Sequence, residues 1–425
     1  MKRFRGPVLV TLGSLLLPLG LGAFSVPYIV HELGVVRFGV LTLVWGLFGY
    51  FSLFDFGIGK ALTKRVAESG GDTLEAAVAA RVGLLLLMGI GVVSGLLLAG
   101  AYPVLLSLGV LVDSPENIRA VMWLAAGMPF LLIGIGLRGI LEGLARFNSP
   151  AVARVIVGVA TFGLPVPLLA VWPTLDVIVI GLVGGRVLSI VTQSWSCRDL
   201  LRRAWAASGA RGETEGILRF GGWMMVSNLT SPLMVYADRF VIAASAVAAQ
   251  VAYYTTPFEV VTRLLVLPAA ATTVLFPMMA RESATGRNRL AARMMLRGMV
   301  TMFLVLLPVV VMASFYSHEF LAWWLNPDFA SFAAGPMVLL SWGVLCNSLA
   351  QFPFSFLQST GKVRQIAFLH LFELLLFFSS LPWFLARWGI LGAAIAWCLR
   401  VALDLVALLA LSKILYLSDA RRRDD

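Results

Sequence analysis

Residues 82–103 read VGLLLLMGIGVVSGLLLAGAYP, an apolar run without a single charged side chain. A helix needs about 20 such residues to cross the hydrocarbon core of a bilayer, so this run predicts a transmembrane helix. Eleven further apolar runs flank it. They occupy residues 8–30, 39–59, 119–141, 154–172, 174–195, 220–246, 250–280, 298–316, 331–353, 366–386 and 389–411, with ends approximate. The sequence therefore predicts an all-α membrane protein with twelve spans.

The composition also favours a chain that crosses a membrane many times. Of 425 residues, 60% are hydrophobic and 13% are charged, and the mean hydropathy is +0.91. Ordinary soluble domains carry charge on roughly 25% of their residues, so a soluble protein is excluded. The N-terminal run at 8–30 exceeds the 7–15 or so residues of a signal-peptide core, so we interpret it as the first span.

The lysines and arginines indicate how the spans are oriented. With the N terminus in the cytoplasm, 26 of the 33 basic residues fall in cytoplasmic segments, and only Arg37, Arg119 and Arg387 lie outside. This bias is typical of cytoplasmic loops. We therefore expect a multi-pass protein with both termini in the cytoplasm. The net charge of +11 then reflects topology and gives no reason to expect nucleic acid as a partner.

Six crossings return a chain to the side on which it started, which favours two parallel six-helix halves. Such halves are related by a pseudo-two-fold axis along the membrane normal. A short echo supports the repeat: Ala67-Glu68-Ser69 follows the second span of one half, and Arg281-Glu282-Ser283 follows the second span of the other. We expect an N-terminal bundle at 1–200, a cytoplasmic linker at 201–219, and a C-terminal bundle with a basic tail at 220–425.

Charged side chains inside these spans are the candidates for function, because a charge in hydrocarbon requires a partner or a watery cavity. They are Asp55, Arg186, Asp238, Arg239, Glu259, Arg263, Glu373, Arg400 and Asp404. Glu259 and Arg263 are four residues apart, as are Arg400 and Asp404, so each pair shares a helix face. Either pair could simply neutralise itself.

Uncharged polar stripes favour a polar lumen, although side chains of this kind also hydrogen-bond neighbouring helices together. Asn347, Gln351 and Ser355 recur every four residues, and Arg186 shares a face with Ser189 and Gln193. The run at 250–280 contains Pro257, Pro268 and Pro277, which predict a kinked or broken span. The outer segment at 317–330, with Trp323 and Trp324, is expected to be an interfacial aromatic belt.

Several kinds of chemistry have no support in the sequence. Cys197, Cys346 and Cys398 are scattered, which excludes a disulfide framework or a zinc site. The chain has no Gly-x-x-x-x-Gly-Lys-[Ser/Thr] motif, so ATP is not expected to drive it. We expect no cofactor, no metal and no enzymatic activity.

The order of several motifs resembles bacterial polysaccharide flippases of the O-antigen type, in the multidrug/oligosaccharidyl-lipid/polysaccharide exporter superfamily. The motifs are FDFGIG at 54–59, ILEGLARF at 140–147, YADRF at 236–240, YYTTPFEVVTR at 253–263 and GILGAAIA at 389–396, followed by Arg400 and Asp404. The resemblance covers residues 8–412. Arg37 departs from it, because an acid is expected at that position.

This resemblance implies two six-helix bundles around a central cavity that opens alternately to each side of the bacterial inner membrane. The implied substrate is an undecaprenyl-pyrophosphate-linked oligosaccharide, moved to the outer leaflet for cell-surface polysaccharide. The candidate cavity residues are Arg239, Arg263, Arg186, Asn347 and Gln351. The candidates for coupling or charge tuning are Asp55, Asp238, Glu259, Glu373, Arg400 and Asp404. Other expected partners are membrane lipid, a coupling proton or sodium ion, a polysaccharide polymerase and glycosyltransferases.

Three other functions remain as alternatives. A drug/cation antiporter of the same superfamily would share the fold but favours a net acidic cavity, whereas acids and bases nearly balance at depth here. A membrane glycan-transferring enzyme would require a long outer loop with catalytic acids, which this sequence lacks. A purely structural membrane protein has little reason to keep charges at depth.

Overall fold

The computed structural model describes residues 2–107, 113–206, 211–236, 238, 241–242 and 251–421, and every regular element in them is helical. The helices are α1 Lys2–Phe51, α2 Ile58–Glu68, α3 Leu74–Gly100, α4 Tyr102–Ser107, α5 Pro115–Gly143, α6 Asn148–Gly158, α7 Pro165–Val171, α8 Leu175–Ser196, α9 Arg198–Ala206, α10 Arg211–Tyr236, α11 Val251–Thr262, α12 Val266–Ala284, α13 Asn288–Trp324, α14 Pro327–Ser359 and α15 Val363–Arg421. Short 3₁₀ turns cover Ser52–Asp55 and Arg263–Leu265, and a π turn covers Val159–Gly163.

Two of the long helices are broken by a glycine. Gly34 in α1 has φ 74° and ψ 161°, and Gly389 in α15 has φ 57° and ψ −139°. Positive φ is strained for residues with a Cβ but is readily adopted by glycine. Gly34 lies in the short outer connection that the sequence predicts between the first and second spans, and Gly389 is the first residue of the predicted twelfth span, directly after such a connection.

Within the described ranges, nine helical stretches are long and apolar enough to cross a membrane. The sequence predicts twelve. One of the nine, Val363–Ile414, has 52 residues and contains Gly389, whereas about 20 residues suffice for one crossing. The predicted span at 220–246 lies only partly within the described residues. The number twelve, the pseudo-two-fold axis and the location of the termini stay predictions.

The chain divides into two compact units, Met1–Gly222 and Trp223–Asp425. The first unit has one hydrophobic cluster around Phe48 and Leu182 and another around Leu62 and Leu137. The second unit also has two clusters, one around Phe258 and Trp397 and the other around Phe352 and Leu408. The expected linker at 201–219 contains the end of α9 and the start of α10.

Glycines allow helices in the first unit to approach closely. A Cβ at Gly91 would come within 2.5 Å of the Pro129 backbone, and one at Gly95 within 2.5 Å of the Ala125 carbonyl oxygen. Membrane helices pack through small residues because lipid supplies no hydrophobic force to drive them together. The Gly-x-x-x-Gly pattern at Gly91 and Gly95 therefore fixes the packing of α3 on α5.

Candidate functional site

The span with three prolines is helical from Val251 to Ala284, but a 3₁₀ turn interrupts its α-helix. Helix α11 ends at Thr262, a 3₁₀ turn covers Arg263–Leu265, and α12 begins at Val266. Pro268 contributes to the change because it has no N–H to donate to a carbonyl four residues earlier. The interruption places Arg263, a candidate cavity residue, in the 3₁₀ turn between two helical segments.

Arg263 lines a cavity of about 490 Å³ within the second unit. The other lining residues are Thr255, Thr256, Glu259, Val260 and Trp324. Trp324 reaches this cavity because α13 continues to residue 324. The expected outer belt at 317–330 is therefore helical over most of its length, and at least one of its tryptophans lines this cavity.

Glu259 and Arg263 form the ion pair that their spacing predicts, with 3.4 Å between Arg263 Nη2 and Glu259 Oε2. The arginine side chain is 69% exposed and the glutamate 44%. Exposed pairs of this kind contribute at most about 1 kcal/mol to stability. Most of the guanidinium therefore remains accessible to an anion that enters the cavity.

A second polar cluster is buried in the same unit, around Arg400. The charges of Glu373, Asp404 and Asp238 lie close enough to act on its guanidinium. The guanidinium carbon lies 5.7 Å from the Phe377 ring centroid and 6.0 Å from that of Trp397, so aromatic faces also hold the cation.

Two residues that sequence reasoning missed complete this cluster. The Tyr254 hydroxyl donates a 2.6 Å hydrogen bond to Oδ2 of Asp238. His370 Nε2 lies 3.8 Å from Oδ1 of Asp404, and the His370 ring stacks on Phe354. Neither partner is detectable from spacing, because each pair joins different parts of the chain across a helix interface.

The cluster around Arg400 contains more negative than positive groups. Three carboxylates, from Asp238, Glu373 and Asp404, face one guanidinium, and Asp238 and Glu373 are 0% and 4% exposed. Glu373 lies within hydrogen-bonding reach of Asp404, and in the described residues no other group is a hydrogen-bond partner of its carboxylate oxygens. Buried charge without a partner costs free energy. Such a site attracts a cation or a proton.

In the first unit, Arg186 lies on an aromatic face. Its guanidinium carbon is 3.8 Å from the centroid of the Phe48 ring. Nε and Nη1 have no hydrogen-bond partner in the described part of the chain. The other two side chains of this polar stripe form hydrogen bonds to carbonyl groups of their own helix. Ser189 donates to the Arg186 carbonyl at 2.8 Å, and Gln193 donates to the Ser189 carbonyl at 3.2 Å.

Asp55, a coupling candidate, makes hydrogen bonds at a helix start. Its carboxylate accepts from the N–H groups of Gly57 at 2.9 Å and Gly59 at 3.2 Å, where α2 begins. A carboxylate at this place complements both the free N–H groups and the positive end of the helix dipole. These contacts give Asp55 a structural role at the start of α2.

The first unit also contains a buried ion pair that the sequence did not single out. Arg154 Nη2 lies 3.2 Å from Glu142 Oε1, and its Nη1 donates to the Ser14 hydroxyl at 3.2 Å. Glu142 is 5% exposed. The charge distribution places Arg154 in a cytoplasmic loop, so the sequence does not suggest it as a partner for Glu142. The signal for this pair is Glu142 itself, an acidic residue near the end of an apolar helix.

The remaining candidates are placed as follows. Asn347 and Gln351 are half-buried on α14, whereas Ser355 of the same stripe is buried. Arg239 lies outside the described residues. The described residues contain no group of three histidine, cysteine, aspartate or glutamate side chains that could hold a metal ion.

Comparison with known proteins assigns these features to a family. Residues 7–283 match the family model described as polysaccharide biosynthesis protein. The chain is 30% identical over 400 residues to a putative O-antigen transporter of Shigella flexneri, covering 90% of this chain and 91% of that protein.

Solved structures share the fold at low sequence identity. A crystal structure of MATE in the bent conformation superposes with a TM-score of 0.82 at 15% identity, covering 100% of this chain and 96% of that one. An outward-facing multidrug resistance MATE family transporter of the MOP superfamily gives 0.80 at 16% identity, covering 98% and 95%. At these identities the likeness shows a shared fold.

Proposed function

Because this chain belongs to the polysaccharide biosynthesis protein family and is a membrane transporter, we propose that it flips an undecaprenyl-pyrophosphate-linked oligosaccharide across the bacterial cytoplasmic membrane. Transport runs from the inner to the outer leaflet by alternating access and supplies cell-surface polysaccharide. A glycosyltransferase supplies this substrate, and a polymerase receives it outside. The chain moves its substrate without catalysing a reaction.

The described helices support the proposed arrangement of twelve spans with both termini in the cytoplasm. The breaks at Gly34 and Gly389 split two long helices into shorter ones. Each shorter segment still has roughly the 20 residues that a crossing requires. Both glycines lie where the distribution of lysine and arginine puts the chain outside, which leaves both termini in the cytoplasm.

The observation that carries the proposal is Arg263, an accessible arginine in a 3₁₀ turn within a long span, beside an open cavity. Transporters place substrate sites at interrupted helices, where backbone groups are freed. Arginine binds phosphate oxygens through paired, charge-assisted hydrogen bonds. We assign Arg263 to the pyrophosphate, with Thr255 and Thr256 hydroxyls beside it. Arg239, Arg186, Asn347 and Gln351 stay candidates for the rest of the substrate.

The buried cluster around Arg400 is assigned to energy coupling. Its three carboxylates and single guanidinium favour uptake of one positive charge, and a proton suits them better than sodium, because the described residues contain no group of three such side chains that could hold a metal ion. Asp238, Glu373 and Asp404 would share that ion. The Arg400 guanidinium would compensate one of their negative charges permanently. Asp55 and Glu259 are better placed to support their neighbours, because each already has hydrogen-bonding or ion-pair partners.

Glycan display in a strain lacking its own flippase tests the role of Arg263. We expect Arg263→Ala to abolish display, and Arg263→Lys to restore part of it because it keeps the charge but loses the paired hydrogen bonds. Arg287→Ala is the matched control, since Arg287 is also an exposed arginine that forms an ion pair with a nearby glutamate, Glu282. Normal display by both Arg263→Ala and Arg263→Glu would contradict the assignment.

A drug/cation antiporter is the second candidate, and the acid excess around Arg400 is the observation that favours it. The two functions are distinguished by expressing the chain in cells that lack drug efflux and, separately, in cells that lack the flippase. Restored drug resistance without glycan display would support the antiporter. Restored display without resistance would support the flippase.

A further inference from the structure

Helix α9 lies where the chain leaves a membrane span. Helix α8, one of the candidate spans, ends at Ser196, and α9 begins at Arg198. Leu200 and Ala204 of α9 are buried in the cluster that contains the first turns of α3. A helix that leaves the end of one span and packs on the start of another lies at the membrane surface.

One exposed face of α9 is basic. At 3.6 residues per turn, Arg198 and Arg202 lie on the same side of the helix, away from Leu200 and Ala204. Both arginines are exposed. The carboxylate nearest to Arg198, that of Asp199, is 3.9 Å away. Arg203 faces elsewhere and donates to the Asp72 carbonyl at 3.0 Å.

Exposed tryptophans lie at both ends of this basic face. Trp195 is 71% exposed and Trp205 is 63% exposed. The guanidinium carbon of Arg198 lies 4.9 Å from the Trp195 ring centroid. Trp205 is seven residues after Arg198, about two helical turns, and therefore lies on the same basic side of the helix. Tryptophan concentrates at the level of the lipid headgroups, with its ring in the apolar layer and its N–H in the polar one.

We propose that Trp195, Arg198, Arg202 and Trp205 form a binding site for the phosphate of an anionic phospholipid headgroup. The tryptophans place the helix at headgroup depth, and the two arginines present guanidinium groups suited to a phosphate diester. Arg146 adds a third guanidinium at the junction, where it donates to the Ser196 carbonyl. The site requires no transported substrate and is independent of the proposed flippase activity.

The test uses the full-length protein in phosphatidylcholine vesicles that contain brominated phosphatidylglycerol or, separately, brominated phosphatidylcholine. The signal is the emission of Trp205, obtained as the difference between the wild type and Trp205→Phe. We expect stronger quenching by the phosphatidylglycerol, with a local enrichment of about fivefold for each arginine near the surface. The preference should disappear in the double variant Arg198→Gln, Arg202→Gln.

The matched control is Arg289→Gln with Arg293→Gln, another exposed arginine pair four residues apart, near the start of α13. This control should keep the preference for phosphatidylglycerol. Equal quenching by both lipids in the wild type would overturn the proposal. The proposal would also be overturned if the control variant lost the preference for phosphatidylglycerol to the same extent. It would be overturned as well if neither brominated lipid quenched Trp205. The last result would show that α9 does not contact the membrane. An acidic protein would then be the better partner for its basic face.

Discussion

Asp238 is completely buried, and the hydroxyl of Tyr254 is one of the groups that stabilise it there. Removing that hydroxyl in Tyr254→Phe leaves a buried acceptor without this donor. The expected loss is about 1–3 kcal/mol, measured as a lower midpoint of thermal unfolding in detergent. Tyr253→Phe is the control, because the neighbouring Tyr253 packs by stacking on Phe332. A larger loss in the control would contradict the role given to the hydroxyl.

Glu373 offers a test of coupling with little structural disturbance. Its side chain lies beside Asp404, and Glu373→Gln keeps both its shape and an amide N–H that can donate to Asp404 while it removes the charge. We expect that an imposed ion gradient does not accelerate transport by this variant, so that its rate equals the rate measured without a gradient. The measurement is uptake of lipid-linked oligosaccharide into the outer leaflet of proteoliposomes, under an imposed proton or sodium gradient. Glu319→Gln, at an exposed position, should respond normally. Full gradient dependence in Glu373→Gln would exclude it as the coupling group.

At the level of single residues, the sequence identifies charges at depth but not their partners. Asp238, Glu373, Arg400 and Asp404 stand out because charge is rare in apolar runs. Spacing suggests pairs only within one helix, as it does correctly for Glu259 and Arg263. Contacts such as that of His370 with Asp404 depend on how two helices pack, which helical periodicity does not specify.

At the level of helices, the contact of α2 with α5 depends on the absence of a side chain at Gly139. A Cβ there would come within 2.3 Å of the Gly59 carbonyl oxygen. Gly139→Ala should therefore force the helices apart and destabilise the first unit by about 1–3 kcal/mol, measured by thermal unfolding. Gly134→Ala, on the same helix, is the control because its Cβ would be 4.0 Å from the nearest atom. Equal stability of the two variants would contradict the close packing.

Helix ends show why apolar runs predict spans but not their limits. The run predicted to start at residue 82 belongs to a helix that begins at Leu74, where the Thr73 side chain accepts a hydrogen bond from the Ala76 N–H. Asn326 caps α14 in the same way. This cap lies five residues before residue 331, where the sequence predicts the corresponding span to start. Polar caps and the first helical turns lie at the membrane surface, so hydropathy cannot detect them.

At the level of the whole molecule, the twelve-span topology makes the two glycine breaks external. In a chain with its native cysteines replaced by serine, Arg37→Cys and Arg387→Cys, which flank Gly34 and Gly389, should react with an impermeant maleimide on intact spheroplasts. Arg287→Cys, in the turn between α12 and α13, should react only after the membrane is permeabilised. The reason is that each break then separates two crossings, which puts the chain outside at both glycines. Labelling of Arg387→Cys only after permeabilisation would make α15 a single crossing. It would also move the C terminus outside, and the count of twelve would then be wrong.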